Sequence, residues 1–231
     1  MTPPPAGGPR LVLPGPLVPA VRELPGCGWV LARGFAPAWA APALWAPYTG
    51  QAIAARTIGG LATHPTPRAR AVAVLRPPGP GAGLRLAAGT LAGIVALYGA
   101  ILGLALVYLA VFDVRTPLAA GPAYLLAVWP VAAGLAPAWA ARHNLSHRNP
   151  QPPDTVRVGS LAAVPPGRGA GTRLLDQLTA AADDQQVTLD LTARTDQLLA
   201  LYTRSGFTPP RPDRRAMLRT PAAVPDPARR P

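Results

Sequence analysis

The chain has 231 residues, room for one or two domains, and a net charge of +12 in which all 22 basic residues are arginine. A single cysteine, Cys27, excludes an intrachain disulfide framework. The surplus charge is uneven. Residues 1–150 hold eleven arginines against Glu23 and Asp113, whereas 151–231 hold eleven against eight aspartates. The excess therefore flanks the apolar middle of the chain, which points to membrane lipid rather than nucleic acid as the anionic partner.

Residues 1–75 read as a Pro/Gly/Arg-rich arm, largely disordered or interfacial. Met1–Pro25 is broken by Pro and Gly and has neither the basic start nor the uninterrupted apolar core of a signal peptide. Phe35–Ala55 has no charge and carries Trp39, Trp45 and Tyr48, but Pro37, Pro42 and Pro47 recur through it. Repeated helix breaks favour an interfacial segment over a span. Only Ala71–Leu75 reads as a short strand.

The middle predicts a transmembrane hairpin over 84–142. Leu86–Phe112 and Thr116–Ala141 contain no charged residue, and each exceeds the roughly 20 apolar residues needed to cross a bilayer as a helix. The predicted spans are 86–112 and 117–141, joined through Asp113-Val114-Arg115. Gly99 and Gly103 form a small-xxx-small pair suited to close helix contact. Pro117, Pro122, Pro130 and Pro137 would kink the second span. Arg68, Arg70, Arg76 and Arg85 precede the hairpin, Arg142 and Arg148 follow it, and Arg115 alone lies in its turn. The positive-inside rule then predicts a multi-pass protein of the cell membrane with both termini cytoplasmic.

A linker over 143–154 follows. His143 and His147 stand at i, i+4 within it, but no third ligand accompanies them and no metal is expected. From Thr155 the pattern becomes sharp. The β-rich run Val156–Val164 leads through Pro165-Pro166 into Gly167-Arg168-Gly169-Ala170-Gly171-Thr172. Leu174, Leu175, Leu178, Ala181 and Ala182 then mark one face of an amphipathic helix. A glycine turn opening a helix presents backbone N–H groups and the positive end of the helix dipole to one spot, a seat for phosphate. Val187, Leu189 and Leu191 alternate with polar residues as a strand. Thr195 is placed to cap a helix that Gly206 closes, with Leu198, Leu199, Leu201 and Tyr202 on its apolar face. Ala216–Arg219 reads as one more short strand, and 221–231 as a disordered tail. Asp190 reads as a solvated strand carboxylate rather than a base.

The order strand, Val164-Pro165-Pro166-Gly167-Arg168-Gly169-Ala170-Gly171-Thr172, helix, strand, then Leu201-Tyr202-Thr203-Arg204-Ser205-Gly206-Phe207 resembles the acetyl-CoA half of a GNAT-type N-acetyltransferase. The resemblance covers roughly residues 154–220, under a third of the chain. It implies that acetyl-CoA is the co-substrate and that Gly167, Arg168, Gly169, Ala170, Gly171 and Thr172 hold its pyrophosphate. It further implies that Ala162, Ala163 and Val164 pair with the pantetheine arm and polarise the thioester, and that Tyr202 protonates the departing thiolate. Two positions depart from the family pattern: Pro166 stands where Gln or Arg is usual, and Thr195 where the last helix usually opens with Asn.

The fold class expected is α+β: a truncated GNAT-like unit preceded by two transmembrane helices and the arm. A complete GNAT domain has further strands and two helices before the strand at Val156, and those elements build much of the acceptor pocket. Their apparent absence leaves two readings. One is a membrane-anchored N-acetyltransferase acting on an unidentified amine, its pocket completed by a second copy of the chain. The other is a small integral membrane protein whose GNAT remnant is inactive and serves as a scaffold.

Overall fold

The computed structural model describes residues 10–36, 38, 40–65, 70–111, 155–210 and 215–221. Two short 3-10 turns, Gly15–Leu17 and Val21–Glu23, lead into helices α1 (Leu24–Phe35) and α2 (Ala41–Thr57). Strands β1 (Leu61–Pro65) and β2 (Arg70–Arg76) and the long helix α3 (Pro80–Val111) follow. After the segment 112–154 come β3 (Thr155–Val164), α4 (Ala170–Asp184), β4 (Thr188–Thr192), α5 (Asp196–Arg204) and β5 (Ala216–Arg219). The protein is therefore α+β, and its five strands form one mixed sheet in the order β1-β2-β3-β4-β5. Only β3 and β4 run parallel, as a strand–helix–strand crossover through α4 requires.

Two expectations are corrected here. Within residues 1–75, expected as a largely disordered or interfacial arm, α1, α2, β1 and all but the last residue of β2 are formed. The strands at 155–220 do not form a sheet of their own, because β3 pairs with β2 along the whole length of β2, from Arg157 opposite Arg76 to Val164 opposite Arg70.

The core explains why. α4 buries Leu174, Leu175, Leu178, Ala181 and Ala182 on one sheet face, against Ala71, Ala73, Leu75, Val156, Val158, Leu189 and Leu191, with Leu11 and Leu17 beside them. α1 and α2 bury Leu24, Cys27, Val30, Leu31, Ala52 and Ala55 on the other face, against Leu61, Val72, Val74 and Ala162. Each buried leucine contributes roughly 1.5–3 kcal/mol relative to exposure. β2 is covered on both faces, so Ala71–Leu75 are all buried. Cys27 is fully buried in α1. That burial, against the lowering charge of Arg70, pushes its thiol up to about 11, so it stays protonated and unreactive at neutral pH.

α3 has 32 residues, which at about 1.5 Å each makes a rod of roughly 48 Å. Among the described residues it is the one helix long and apolar enough to cross a membrane, with a qualifying window of Gly81–Leu104 and mean hydropathy 1.9. The second expected span, 117–141, lies outside the described residues, as do the 143–154 linker with His143 and His147 and most of the 221–231 tail.

The first third of α3 lies against α2 along a glycine seam. A Cβ placed on Gly50 would come within 2.0 Å of the Gly89 carbonyl oxygen, and one on Gly93 within 2.3 Å of the Ala46 carbonyl oxygen. Beyond Gly93 the helix exposes Val95, Leu102, Leu104 and Val107. Gly99 and Gly103, expected to make the close contact, have nothing described within 4 Å of a Cβ. Gly50→Val should therefore push α3 off α2, because a backbone oxygen cannot move aside. A cost of about 1–3 kcal/mol follows, seen as a lower Tm of the full chain in detergent. Gly99→Val should leave Tm unchanged; equal effects of the two would refute the seam.

Candidate active site

The site begins with a fault in the sheet. β3 pairs with β4 only over Thr155–Val158, opposite Thr188–Leu191. On its other edge the register to β2 slips between Val74 and Leu75, which face Ser160 and Val158 and leave Gly159 as the extra residue. A bulge of this kind bends the strand and turns it away from a neighbour. From Ser160 to Val164, β3 therefore keeps its bonds to β2 while no described strand pairs with its other edge. An open backbone edge inside a sheet accepts an extended ligand as an added strand. Ala162, Ala163 and Val164, predicted to pair with pantetheine, lie on this edge.

The edge leads directly into the glycine turn. Gly167 (φ +77) and Gly169 (φ +75) adopt the left-handed region that favours glycine. Gly169 is the N-cap of α4, with no side-chain cap and no acidic residue in the first turn. The first intrahelical bond is Arg173 N–H to the Gly169 carbonyl, so the opening N–H groups, from Ala170 to Thr172, have no partner within the helix. The turn Pro165–Gly169 is exposed, and a Cβ on Gly171 would lie 3.5 Å from the Ala163 Cβ. The glycine turn and the open edge are thus adjacent. Arg168, also predicted here, lies exposed on the turn.

Tyr202 lies on α5, positioned by its own cap: the Thr195 hydroxyl accepts the Leu198 N–H at 3.2 Å. The ring is 6 % exposed and packs on Phe207 with centroids 6.1 Å apart. Burial raises the phenol above its ordinary value, opposed by the charge of Arg194. The same guanidinium opposes a burial-driven rise at Tyr48 on α2. It also lies 4.7 Å from the centroid of Phe35 on α1, a cation–π contact, while Phe35 and Tyr48 stack at 6.2 Å. A Cβ on Gly34 would meet the Ala162 Cβ at 2.5 Å, so the end of α1 packs on the face of β3 at Ala162, beside its open edge.

Where the sheet splits, then, residues from both of its faces meet. Phe35, Tyr48 and Arg194 were not found from the sequence. Tyr48 was read among the interfacial aromatics, and the one signal at Arg194 was its place between a strand and a helix cap.

Asp190, expected to be solvated, is 3 % exposed. It accepts the Arg157 Nε–H at 2.6 Å at the closed end of the split. Burial raises its carboxyl against the lowering charge and hydrogen bond of Arg157. A raised native pKa means the folded state holds the proton more tightly than the unfolded chain. The contribution of Asp190 is therefore fully present below the ordinary aspartate value, and it is lost as pH rises through the native one. Arg157→Met would strand a buried carboxylate and should cost about 3–5 kcal/mol at neutral pH. The deficit should shrink as pH falls through the raised native value and be smallest toward about pH 4, the ordinary aspartate value. Denaturant unfolding at both pH values checks this, and a pH-independent deficit would contradict it.

No protein-family model and no curated protein matches the chain.

Proposed function

We propose that this protein is a membrane-anchored N-acetyltransferase of the GNAT type that moves acetyl from acetyl-CoA to an amine. The observation that carries the reading is the junction of the open β3 edge, the glycine turn opening α4, and Tyr202. The order of elements supports it too. Two helices and two strands precede β3, as in a complete domain of that type, and the membrane segment is inserted between β2 and β3.

In the proposed reaction the pyrophosphate takes the N–H groups from Ala170 to Thr172, and the pantetheine arm lies along Ala162–Val164. An amine entering as free base attacks the thioester carbonyl carbon. The C–N bond forms, the C–S bond breaks, Tyr202 donates its proton to the departing thiolate, and the amine nitrogen releases one proton to water. Arg168 adds a cation beside the turn, and Thr172 a hydroxyl.

The anchor is α3. Its first turns are held on the domain as far as Gly93, and the 18 residues from Ile94 to Val111 make about 27 Å of helix, close to the roughly 30 Å hydrocarbon thickness. Ala46 and Pro47 touch Gly93 and adjoin Tyr48, and Trp45 is exposed just before them. Tyr48, assigned to the acceptor side, therefore lies near the membrane interface in this reading, with multi-pass topology and both termini cytoplasmic.

Calorimetry of acetyl-CoA on the full-length protein in detergent tests the proposal, followed by coenzyme A release with a panel of soluble and lipid-borne amines. Saturable binding and amine-dependent release are expected. A folded sample that does not bind would leave the scaffold reading.

A further inference from the structure

A second site lies at the opposite end of the sheet. A cleft of about 570 Å³ opens between the N-terminal segment, the end of α2 and the foot of α3. Arg10, Arg56 and Arg85 line it, one from each of these elements, and no carboxylate does. Arg56 is half-buried, and its Nε is shielded from solvent without a hydrogen-bond partner. The start of α3 also faces the cleft through Gly81 and Ala82, with no acidic residue in its first turn. The opposing negative end of α2 is already satisfied: Ile58, Gly59 and Gly60 N–H bond to the carbonyls of Ala54, Arg56 and Ala55. Three cations, a helix N-terminus and an unpartnered guanidinium nitrogen thus surround one space that holds no opposing charge.

We propose that this cleft binds a phosphate monoester, bridging Arg10, Arg56 and Arg85 at the foot of α3. The doubly charged group answers a cluster of arginines by charge-assisted hydrogen bonds. It is not the acetyl-CoA seat, since the cleft adjoins Pro77 and Gly79 after β2, whereas the glycine turn follows Val164, which faces Arg70 at the start of β2. The source is a soluble ester rather than a lipid headgroup. Gly81 precedes Gly93 by twelve residues, about 18 Å along the helix, and a headgroup layer is only about 5–8 Å thick.

The test titrates inorganic phosphate and glycerol 3-phosphate into the full-length protein in detergent by calorimetry. Binding is expected, weakened at least tenfold by Arg56→Gln and, at the exposed position, by Arg85→Gln, and unchanged by Gly169→Glu. Absence of binding to folded wild type, or wild-type affinity in both arginine variants, overturns the site. Loss on Gly169→Glu alone also overturns it, by assigning the anion to the glycine turn. Flotation with phosphatidylglycerol against phosphatidylcholine vesicles settles the source. Arginine-dependent capture by the anionic vesicles alone, with no response to soluble phosphate, would overturn the soluble assignment.

Discussion

Replacing Gly169 by glutamate should abolish coenzyme A binding while leaving the protein folded. The position has φ +75 and ψ −1 and caps α4, so any side chain there pays about 1–2 kcal/mol for the left-handed backbone. Space is not the obstacle, because nothing lies within 4 Å of a Cβ at this position. Charge is. The new carboxylate would sit at the N-terminus of α4 and take the N–H groups that the pyrophosphate needs. At about 5 Å and an effective dielectric near 20, each like-charge pair costs roughly 3 kcal/mol, more than a hundredfold in affinity. Gly169→Ala separates the two causes, since it carries the backbone strain without the charge. Calorimetry should find alanine weakened by no more than tenfold and glutamate without measurable binding. Full affinity in the glutamate variant, with its circular dichroism intact, would place the anion elsewhere.

The half of the site this tests was legible in the sequence because its signals are local. A glycine turn, an amphipathic period and a cap residue each need only a few neighbours. Leu174, Leu175, Leu178, Ala181 and Ala182 are all buried, and Thr195 caps α5 as its spacing predicts. The first half was hidden for physical reasons. α2 lies between α1 and α3, and Pro47 stands inside it, so it shows neither a polar face nor an unbroken run. Coverage on both faces removed the alternation from β2 that marks a half-buried strand. The pairing of Arg76 with Arg157 closes over α3 and the whole segment 112–154, and no local pattern encodes it. The same reason hid Phe35, Tyr48 and Arg194, which come together only once α1 lies on β3 beside the split.

Tyr202→Phe should lower turnover by about 10²- to 10⁴-fold, the usual contribution of a positioned acid, with acetyl-CoA affinity near wild type. The phenol suits that role because burial holds it protonated above its ordinary range, despite Arg194. The departing thiolate, whose thiol has an ordinary pKa of about 8.5, is a weaker base than the phenolate, so the proton moves uphill and the step is completed when the phenol recovers a proton from solvent. The sign of the pH dependence follows. The acid form is present at neutral pH and disappears only above the ordinary tyrosine range, so the alkaline fall of kcat should lie above about pH 10 in wild type and vanish in the variant. A structural tyrosine makes the opposite prediction. Phenylalanine keeps the ring packed on Phe207, so kcat and its alkaline limb would both survive. Tyr48→Phe is the control that separates position from burial, because its phenol is also raised by burial beside Arg194 but belongs to α2, on the acceptor side. It should change KM for the amine more than kcat. If the two variants exchange these effects, the acid is Tyr48, and the roles of the two tyrosines are reversed.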